Sequence, residues 1–247
     1  MVPTAVGDYL VRILILGASG GLAASLADVF LERGCSVDLV TREMKRERVE
    51  RRYPSAIAAG LARVFAVRSR YSDFDPPQSY DVCFFTPALF SPRPLTSMDD
   101  AGIEGELNVG LTDPICLTRK LLARNAPAPG ERRNYCYIGS TSAYAGFRDT
   151  AVYCAVKHGL LGFVRAMNDE YAQTDVRFWL FSMGAMDTEM GAKLTDQDPS
   201  SFLQPGDVAR RIAEVVCSPS NLFEPEVLIR RRTIRFREKQ STCRHAS

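Results

Sequence analysis

The chain alternates between short apolar runs and longer segments in which apolar residues recur at helical spacing. The apolar runs are four to seven residues long, mostly aliphatic or aromatic, and bounded by turn-forming residues, which is typical of buried strands. They lie at Val11–Leu16, Ser36–Thr41, Ala62–Val67, Asp81–Phe85, Asn134–Ile138, Asp175–Phe181 and Glu226–Ile229. Because strands and helices alternate throughout, the pattern predicts parallel strands with helices on both faces of one sheet.

The segments between the runs predict the helices. They run to Arg33 in the first segment, then over Arg42–Arg52, Ala101–Ala123, Tyr153 to about Tyr171, and Val208–Cys217. Pro54 is expected to end the second helix, and Pro114 to kink or break the third. The chain shows neither an internal repeat nor a long linker. We therefore expect one α/β domain with a Rossmann-like doubly wound sheet over residues 11–229, a lead-in over residues 1–10 and a basic tail over residues 230–247.

Composition and charge narrow the class of protein. With 247 residues, 46% apolar and 24% charged, the chain can bury a substantial core and resembles a soluble globular protein. The net charge of +2 shows that the whole chain is not a polycation, but residues 230–247 hold seven Lys/Arg and one acid. This cluster suits nucleic acid or a phosphorylated substrate, yet only Phe236 could stack on bases. We favour a solvated strand end and tail, and expect no nucleic-acid binding.

The numbers and spacing of cysteine and histidine residues, together with the hydropathy of the chain, bear on the cellular compartment of the protein and on whether it binds a metal. The seven cysteines are scattered, the closest pair being eighteen residues apart, which excludes CxxC spacing and indicates reduced thiols in a cytoplasmic protein. Two histidines, His158 and His245, cannot supply a three-His metal site, so we expect no metal. The N-terminal residues do not resemble a signal peptide, and no apolar run approaches the roughly 20 residues that span a bilayer.

A glycine-rich turn follows the first predicted strand. The segment Gly17-Ala18-Ser19-Gly20-Gly21-Leu22-Ala23 opens the first predicted helix. Glycines allow close approach of the backbone to a pyrophosphate, and a helix N-terminus supplies N–H donors with positive partial charge. A plain strand-to-helix turn is the alternative, but the position near the start of a doubly wound sheet favours nucleotide binding.

The end of the second strand bears on which nucleotide binds. Dinucleotide folds commonly place an acid there for the adenosine ribose, whereas this chain has Thr41-Arg42, followed by Lys45, Arg46 and Arg48. An arginine can clamp a 2′-phosphate that an acid would repel, which favours NADP(H) over NAD(H), although NAD(H) stays possible. The alternative is a solvated helix face, since three Glu are interspersed.

The stretch Ser140–Lys157 carries the candidate chemistry. Tyr153 and Lys157 are four residues apart, which stacks both side chains on one helix face. An ammonium beside a phenol lowers its pKa from about 10, so we expect Tyr153 to exchange a proton near neutral pH. Ser140 lies at the exit of the fifth strand, where its hydroxyl could bond a substrate oxygen.

Taken together, these motifs resemble the compact one-domain short-chain dehydrogenases/reductases over about residues 11–229. The glycine turn resembles TGxxxGxG, with Leu16 for Thr and Ala23 for the last Gly, and Thr86-Pro87-Ala88 stands where the family has NAG. The segment from Met183-Gly184 to Thr188 resembles PG…T, and Gln204–Ala209 resembles the PEDVA helix start.

The resemblance implies an oxidoreductase that transfers hydride between a nicotinamide and a carbonyl or alcohol carbon. Tyr153 would act as general acid or base, Ser140 would bond the carbonyl oxygen, and Lys157 would tune Tyr153 and hold the ribose. Asn108 would hold a relay water. The expected catalytic residues are therefore Asn108, Ser140, Tyr153 and Lys157. The expected cofactor-binding residues are Gly17, Ser19, Gly20, Gly21, Leu22, Thr41, Arg42, Ala88, Tyr153, Lys157, Gly184, Met186 and Thr188.

Two other functions stay open on the same fold: a nucleotide-sensing protein without catalysis, and a sugar-modifying epimerase or dehydratase, for which the region after Thr188 is short. The family's substrate-shaping segments correspond to Pro87–Leu95, Ala145–Thr150 and the loop after Met186. Their apolar and arginine side chains suit a mid-sized molecule, including an anionic one. The resemblance and the small residues of the 155–167 helix further imply a homodimer or homotetramer.

Overall fold

The computed structural model describes residues 10–124, 131–218 and 222–237, within which seven strands form one parallel sheet. The strands are β1 (Arg12–Leu16), β2 (Ser36–Arg42), β3 (Ala62–Val67), β4 (Val82–Phe85), β5 (Arg133–Ile138), β6 (Val176–Met183) and β7 (Glu226–Ile229). Their order across the sheet is β3-β2-β1-β4-β5-β6-β7. The order reverses between β1 and β4, which is where doubly wound sheets bind their ligands. The predicted fold class is confirmed.

Helices cover both faces of the sheet. They are α1 (Gly21–Glu32), α2 (Arg46–Arg52), α3 (Pro54–Ala58), α4 (Asp100–Leu107), α5 (Asp113–Arg124), α6 (Ala151–Glu170) and α7 (Pro205–Val216). Pro54 ends one helix, as predicted, but it also opens the short α3, because proline suits the first helical position, where no N–H donor is needed.

The first strand, β1, contributes side chains alternately to two hydrophobic cores. Ile13 and Ile15 face the core under α1 and α7, whereas Leu14 and Leu16 face the core under α5 and α6. Because both faces are covered, the strands read as continuous apolar runs in the sequence.

The helix predicted over Ala101–Ala123 is broken in the structure. A π-helical turn spans residues 108–112, and the N–H of Asp113 donates to the carbonyl of Asn108. Pro114 has no N–H to donate to the carbonyl four residues earlier, so a regular α-helix cannot continue through this point. The break lies immediately before Pro114, which agrees with the kink predicted there.

Trp179 packs on the α1/α7 side of β6. Its ring stacks on Phe181 with centroids 5.9 Å apart and meets Phe223 edge-on at 4.7 Å. The indole N–H donates to Asn134 Oδ1 at 2.9 Å, so this 5% exposed ring has its polar atom satisfied.

The basic segment after β7 is only partly what the sequence predicts. The N–H of Asp198 donates to the carbonyl of Arg235 at 2.9 Å, and that of Arg237 donates to Asp196 at 3.0 Å. Arg231 packs over the Phe202 ring, with its guanidinium carbon 5.5 Å from the ring centroid. Residues 231–237 are thus attached to the loop after β6, and residues 232–237 are exposed to solvent as predicted. Residues 1–9 of the predicted lead-in and the end of the tail lie outside the described residues.

Six cysteines belong to the described residues and all six are free thiols, four of them buried. Within the described ranges, no helix has both the length and the apolar content needed to cross a membrane.

Candidate active site

The glycine turn after β1 has a backbone that requires glycine. Gly17 adopts φ +77°, and its N–H donates to the carbonyl of Val40 at 2.9 Å. A Cβ at this position would lie 2.7 Å from Thr86 Oγ1, and that hydroxyl donates to the carbonyl of Leu16 at 2.6 Å. Thr86 therefore ties the exits of β1 and β4 together at the point where the strand order reverses.

The N-terminus of α1 is open towards solvent. Gly20 precedes the helix, no side chain caps its first turn, and Gly20 and Gly21 are both exposed. A Cβ at Gly21 would lie 2.9 Å from the Thr188 methyl carbon, so the structure brings Thr188 of the loop after β6 onto this turn. Leu22 differs from its neighbours because its side chain is buried in the core, so it offers only backbone to a ligand.

The predicted cofactor residues at the end of β2 have different surroundings. Thr41 is fully buried, and its hydroxyl has no hydrogen-bond partner within the described residues. Arg42 is half-buried, and its charge partly offsets the rise that burial causes in the pKa of Tyr71, which follows β3. Arg42 is therefore the one of the two whose side chain is accessible to a ligand at the end of β2.

Ser140, Tyr153 and Lys157 meet beyond the end of β5. Ser140 Oγ accepts from the N–H of Ser142 at 3.1 Å, and the Ser140 hydroxyl lies close enough to the Tyr153 phenol to lower its pKa. Lys157 Nζ lies 5.4 Å from the Tyr153 ring centroid and donates to the carbonyl of Ile138 at 2.7 Å. The helical spacing of Tyr153 and Lys157 thus places both side chains beside Ser140.

The predicted lowering of the Tyr153 pKa is wrong for this arrangement. Burial raises the pKa of Tyr153 to about 12, against a lowering effect from the Ser140 hydroxyl and further raising effects from Cys154 and Glu106. Burial also lowers the pKa of Lys157 to about 8. Desolvation outweighs the expected attraction because the ammonium is bonded to a backbone carbonyl under the ring rather than to the phenol oxygen. Tyr153 therefore keeps its proton at neutral pH, which suits an acid better than a base.

Asn108 begins the π-helical turn between α4 and α5, and its backbone carbonyl is bonded within that turn. The adjoining Gly110 lies so close to α6 that a Cβ there would be 2.5 Å from Val156 Cγ1. The chain's path through the turn therefore brings Asn108 near α6, which carries Tyr153 and Lys157.

Three loops enclose this region on the substrate side. The Phe90 ring meets the Tyr153 ring edge-on with centroids 4.9 Å apart. Lys193 Nζ donates to the Phe90 carbonyl at 2.7 Å, and the N–H of Arg93 donates to the carbonyl of Asp149 at 2.7 Å. These contacts join the segment after β4, which includes Ala88, to the other two segments expected to shape the substrate site. Gly184 and the buried Met186 follow β6 at the base of the third loop.

Sequence reasoning missed Glu106 and Lys193. Glu106 is a carboxylate only 4% exposed, close enough to Ser91 for that residue to lower the pKa of the carboxylate, and close enough to Tyr153 to raise the pKa of that phenol. The available signal was its spacing, because Glu106, Gly110 and Asp113 recur at helical intervals and are all buried. Lys193 lies in an irregular loop, where periodicity carries no information.

Comparison with known proteins agrees with this geometry. The model of the short chain dehydrogenase family matches residues 88–199, which contain Asn108, Ser140, Tyr153 and Lys157. Dehydrogenase/reductase SDR family member 11 of Homo sapiens is 25% identical over 251 residues, covering 88% of this chain and 92% of the human protein. This chain is thus similar to the short-chain dehydrogenases/reductases, and the match includes the segment that holds the candidate catalytic residues. The similarity favours an NAD(P)-dependent oxidoreductase over a binding protein without catalysis.

Solved structures of other proteins have the same fold as this chain. ElxO with NADP bound superposes with a TM-score of 0.75 at 17% identity, covering 90% of this chain and 98% of ElxO. A 3-ketoacyl-(acyl-carrier-protein) reductase from Brucella melitensis, complexed with NADH, superposes with a TM-score of 0.74 at 21% identity, covering 89% and 96%. One neighbour holds NADP and the other NADH, so the comparison leaves the cofactor preference open.

Proposed function

We propose that this protein is an NADP(H)-dependent carbonyl reductase, or an alcohol dehydrogenase in the reverse direction, with Tyr153 as the general acid or base. The observation that carries the proposal is the convergence of Ser140, Tyr153 and Lys157, in which the Ser140 hydroxyl is close enough to lower the pKa of the phenol and an ammonium lies 5.4 Å from the phenol ring centroid. A substrate oxygen that reaches both hydroxyls would meet two donors at one point.

The residues around the glycine turn fit a dinucleotide. The uncapped first turn of α1 and the exposed Gly20 and Gly21 offer backbone N–H groups to a pyrophosphate. Arg42 would take the adenosine 2′-phosphate, and Ala88, Gly184, Met186 and Thr188 would line the rest of the cofactor. The bound nicotinamide supplies or accepts the hydride.

The protein's own groups would manage the substrate oxygen and its proton. Ser140 would hold the carbonyl oxygen, and Tyr153, protonated at neutral pH, would donate its proton as negative charge develops there. Lys157 would bind the ribose and stabilise the phenolate that results. Asn108 would hold a water through which the proton is replaced from solvent.

Replacing Tyr153 with phenylalanine tests the proposal. Tyr153→Phe removes one oxygen and keeps the ring that packs on Phe90, so NADPH affinity should stay near wild type while carbonyl reduction falls by roughly 10²–10⁴-fold. NADPH oxidation is followed with a panel of carbonyl compounds, and cofactor affinity by calorimetry.

Tyr171→Phe is the matched control, because Tyr171 lies at the far end of α6 and should leave turnover unchanged. Ser140→Ala should lower turnover with cofactor affinity preserved. Wild-type turnover in Tyr153→Phe would show that the proton comes from another group and would overturn the assignment.

A further inference from the structure

The loop after β6, residues 187–203, is held by the segment that follows β7. Backbone hydrogen bonds join this loop to residues 231–237, which we call the strap, and the two form an antiparallel bridge at Gln197 and Phe236. The bonds on either side of the bridge are 2.9 and 3.0 Å long. They fasten the second half of the loop.

One side chain of the strap, that of Arg231, makes several contacts with the loop. Its Nη2 donates to Gln197 Oε1 at 2.8 Å, and its Nη1 donates to Ser201 Oγ at 3.4 Å. Its guanidinium carbon lies 5.5 Å from the centroid of the Phe202 ring, which is 6% exposed. A planar guanidinium can donate in two directions while its face packs on a ring, so Arg231 holds three loop residues at once.

Arg231 also lies against the base of the same loop. A Cβ at Gly184 would be 3.5 Å from Arg231 Nε, and the N–H of Gly184 donates to the carbonyl of Ile229 at 3.3 Å. Gly184 is the first residue after β6, and Ile229 is the last residue of β7. The arginine therefore connects the point where the chain leaves the sheet to residues 197–202 of the loop.

The two halves of the loop are bonded to each other. The N–H of Asp187 donates to the carbonyl of Leu203 at 2.9 Å, and the N–H of Leu203 donates to the carbonyl of Ala185 at 3.0 Å. Phe202, on which Arg231 packs, precedes Leu203 directly, and Thr188 follows Asp187. The path from the strap to Thr188 is therefore short and continuous.

The first half of the loop contacts the glycine turn and the surroundings of the proposed acid. A Cβ at Gly21 would be 2.9 Å from the Thr188 methyl carbon. Lys193 Nζ donates to the Phe90 carbonyl at 2.7 Å, and the Phe90 ring packs edge-on against Tyr153. A shift of the loop would therefore change both ends of the cleft.

We propose that Arg231 is a positioning residue that holds the loop after β6 closed, with Thr188 on the glycine turn and Lys193 on the segment after β4. This inference rests on the carbonyl reduction proposed above, because the loop covers the side of the cleft where that reaction would take place. It gives the strap a role in substrate binding, in which Arg231 acts through the loop and does not itself contact the substrate.

Loss of the Arg231 donors should raise KM and leave kcat nearly unchanged. When the loop is closed in only a fraction of the molecules, the apparent affinity falls by that fraction, while bound substrate still selects the closed form. Arg231→Met removes the donors and keeps an apolar side chain on the Phe202 ring. We expect it to raise the KM for a carbonyl substrate roughly 10-fold, with kcat within about 2-fold of wild type.

Gln197→Ala removes the acceptor on the loop side of the same hydrogen bond. It should raise KM in the same direction, and it tests the inference independently if Arg231→Met does not fold. Arg232→Met is the matched control, because it removes the same charge from the exposed neighbouring residue of the strap. It should leave KM at the wild-type value.

Amide hydrogen exchange of the protein without cofactor gives a readout that does not depend on catalysis. The N–H groups of Asp187 and Leu203 are bonded between the two halves of the loop. They should exchange roughly 10-fold faster in Arg231→Met and in Gln197→Ala, because exchange follows local opening. The amides of β4 and β5 should exchange as in wild type, and Arg232→Met should change none of these rates.

The outcomes separate this inference from the proposal on which it rests. Wild-type exchange rates in both Arg231→Met and Gln197→Ala would show that Arg231 does not hold the loop. Faster exchange with an unchanged KM would also overturn the positioning role, since the loop would then open without consequence for the substrate. A wild-type protein that reduces no carbonyl compound would instead overturn the proposed function, and the exchange rates alone would then decide whether Arg231 holds the loop closed.

Discussion

Glu106 places a second ionisable group beside the proposed acid. Burial raises the pKa of its carboxylate, whereas Ser91, Arg93 and Lys193 lower that pKa. One carboxylate oxygen has no hydrogen-bond partner within the described residues. The same charge raises the pKa of Tyr153. Glu106 therefore favours the protonated phenol, which is the form that reduction requires.

Removing that charge should favour alcohol oxidation, which needs the phenolate. In Glu106→Gln the pKa of Tyr153 falls, so at about pH 9, still below that pKa, a larger fraction is ionised and the oxidative rate should rise roughly 3-fold. The measurement is the pH dependence of alcohol oxidation. Glu104→Gln, an exposed position on the same helix, should change nothing. A rate that falls or stays constant in Glu106→Gln would contradict the electrostatic role.

Lys157 is costly to bury. Its pKa is lowered from 10.5 to about 8 by desolvation alone, and its ammonium donates a hydrogen bond to the Ile138 carbonyl. The lowered pKa corresponds to a destabilisation of roughly 3 kcal/mol when the folded protein keeps the proton. The buried ammonium of Lys157 therefore lowers the stability of the folded protein, while it supplies a positive charge at the candidate active site.

We expect Lys157→Met to abolish turnover and to stabilise the fold by about 1–2 kcal/mol after the lost hydrogen bond is deducted. The unfolded chain binds the Lys157 proton more tightly than the folded one, so the stability gap is complete below about pH 8 and closes as pH rises towards 10.5. Denaturant unfolding at about pH 7 and about pH 9.5 measures it.

Lys120→Met provides the comparison for Lys157→Met. Lys120 also donates to a backbone carbonyl, that of Ser72 at 2.6 Å, but it is half-buried. It should gain no stability. A Lys157→Met variant less stable than wild type at neutral pH would contradict the cost assigned to burial.

At the scale of elements, apolar runs were sufficient to predict the strands. Each predicted strand is present, and β3 and β7 have the predicted bounds, because a strand buried on both faces leaves a short uninterrupted apolar signal. The helices were less predictable. The sequence of α4 and α5 reads as one amphipathic segment, and the π-helical turn between them depends on Pro114 and on the close approach of Gly110 to α6.

The site was predictable where it depends on spacing and not where it depends on burial. Four-residue spacing brings Tyr153 and Lys157 together on α6 in any α-helix. The sign of the Tyr153 pKa shift depends on how much water the rings and loops exclude, and the bond from Lys193 to the Phe90 carbonyl spans 103 positions. Such contacts follow from the assembled sheet and leave no local signal in the sequence.

At the scale of the whole molecule, α6 has a face suited to a second copy of the chain. Ala155, Gly162 and Ala166 are exposed, and a Cβ at Gly162 would meet nothing within 4 Å. Small residues at this spacing allow close approach of helices, and we propose a homodimer or homotetramer in which this face is covered.

Gly162→Arg should dissociate that assembly. The larger, charged side chain has room in the single chain and raises helix propensity, so lower stability of the fold would not explain dissociation. Light scattering at micromolar concentration gives the mass. Arg165→Ala, which removes the exposed pair with Glu226 elsewhere on α6, is the comparison. A wild-type protein that is monomeric would refute the proposal.

Trp179 gives this enzyme a built-in optical probe. It is the single tryptophan of the sequence, buried against Phe181 and Phe223 on the α1/α7 side of the sheet, whereas Tyr153 and Lys157 lie on α6 on the other side. Its emission comes from one environment, so a red shift on denaturation reports exposure of that core alone. Reduced nicotinamide absorbs where indole emits, so energy transfer from Trp179 can follow cofactor titrations without a label, and substitutions in the cleft should leave the donor's own spectrum unchanged.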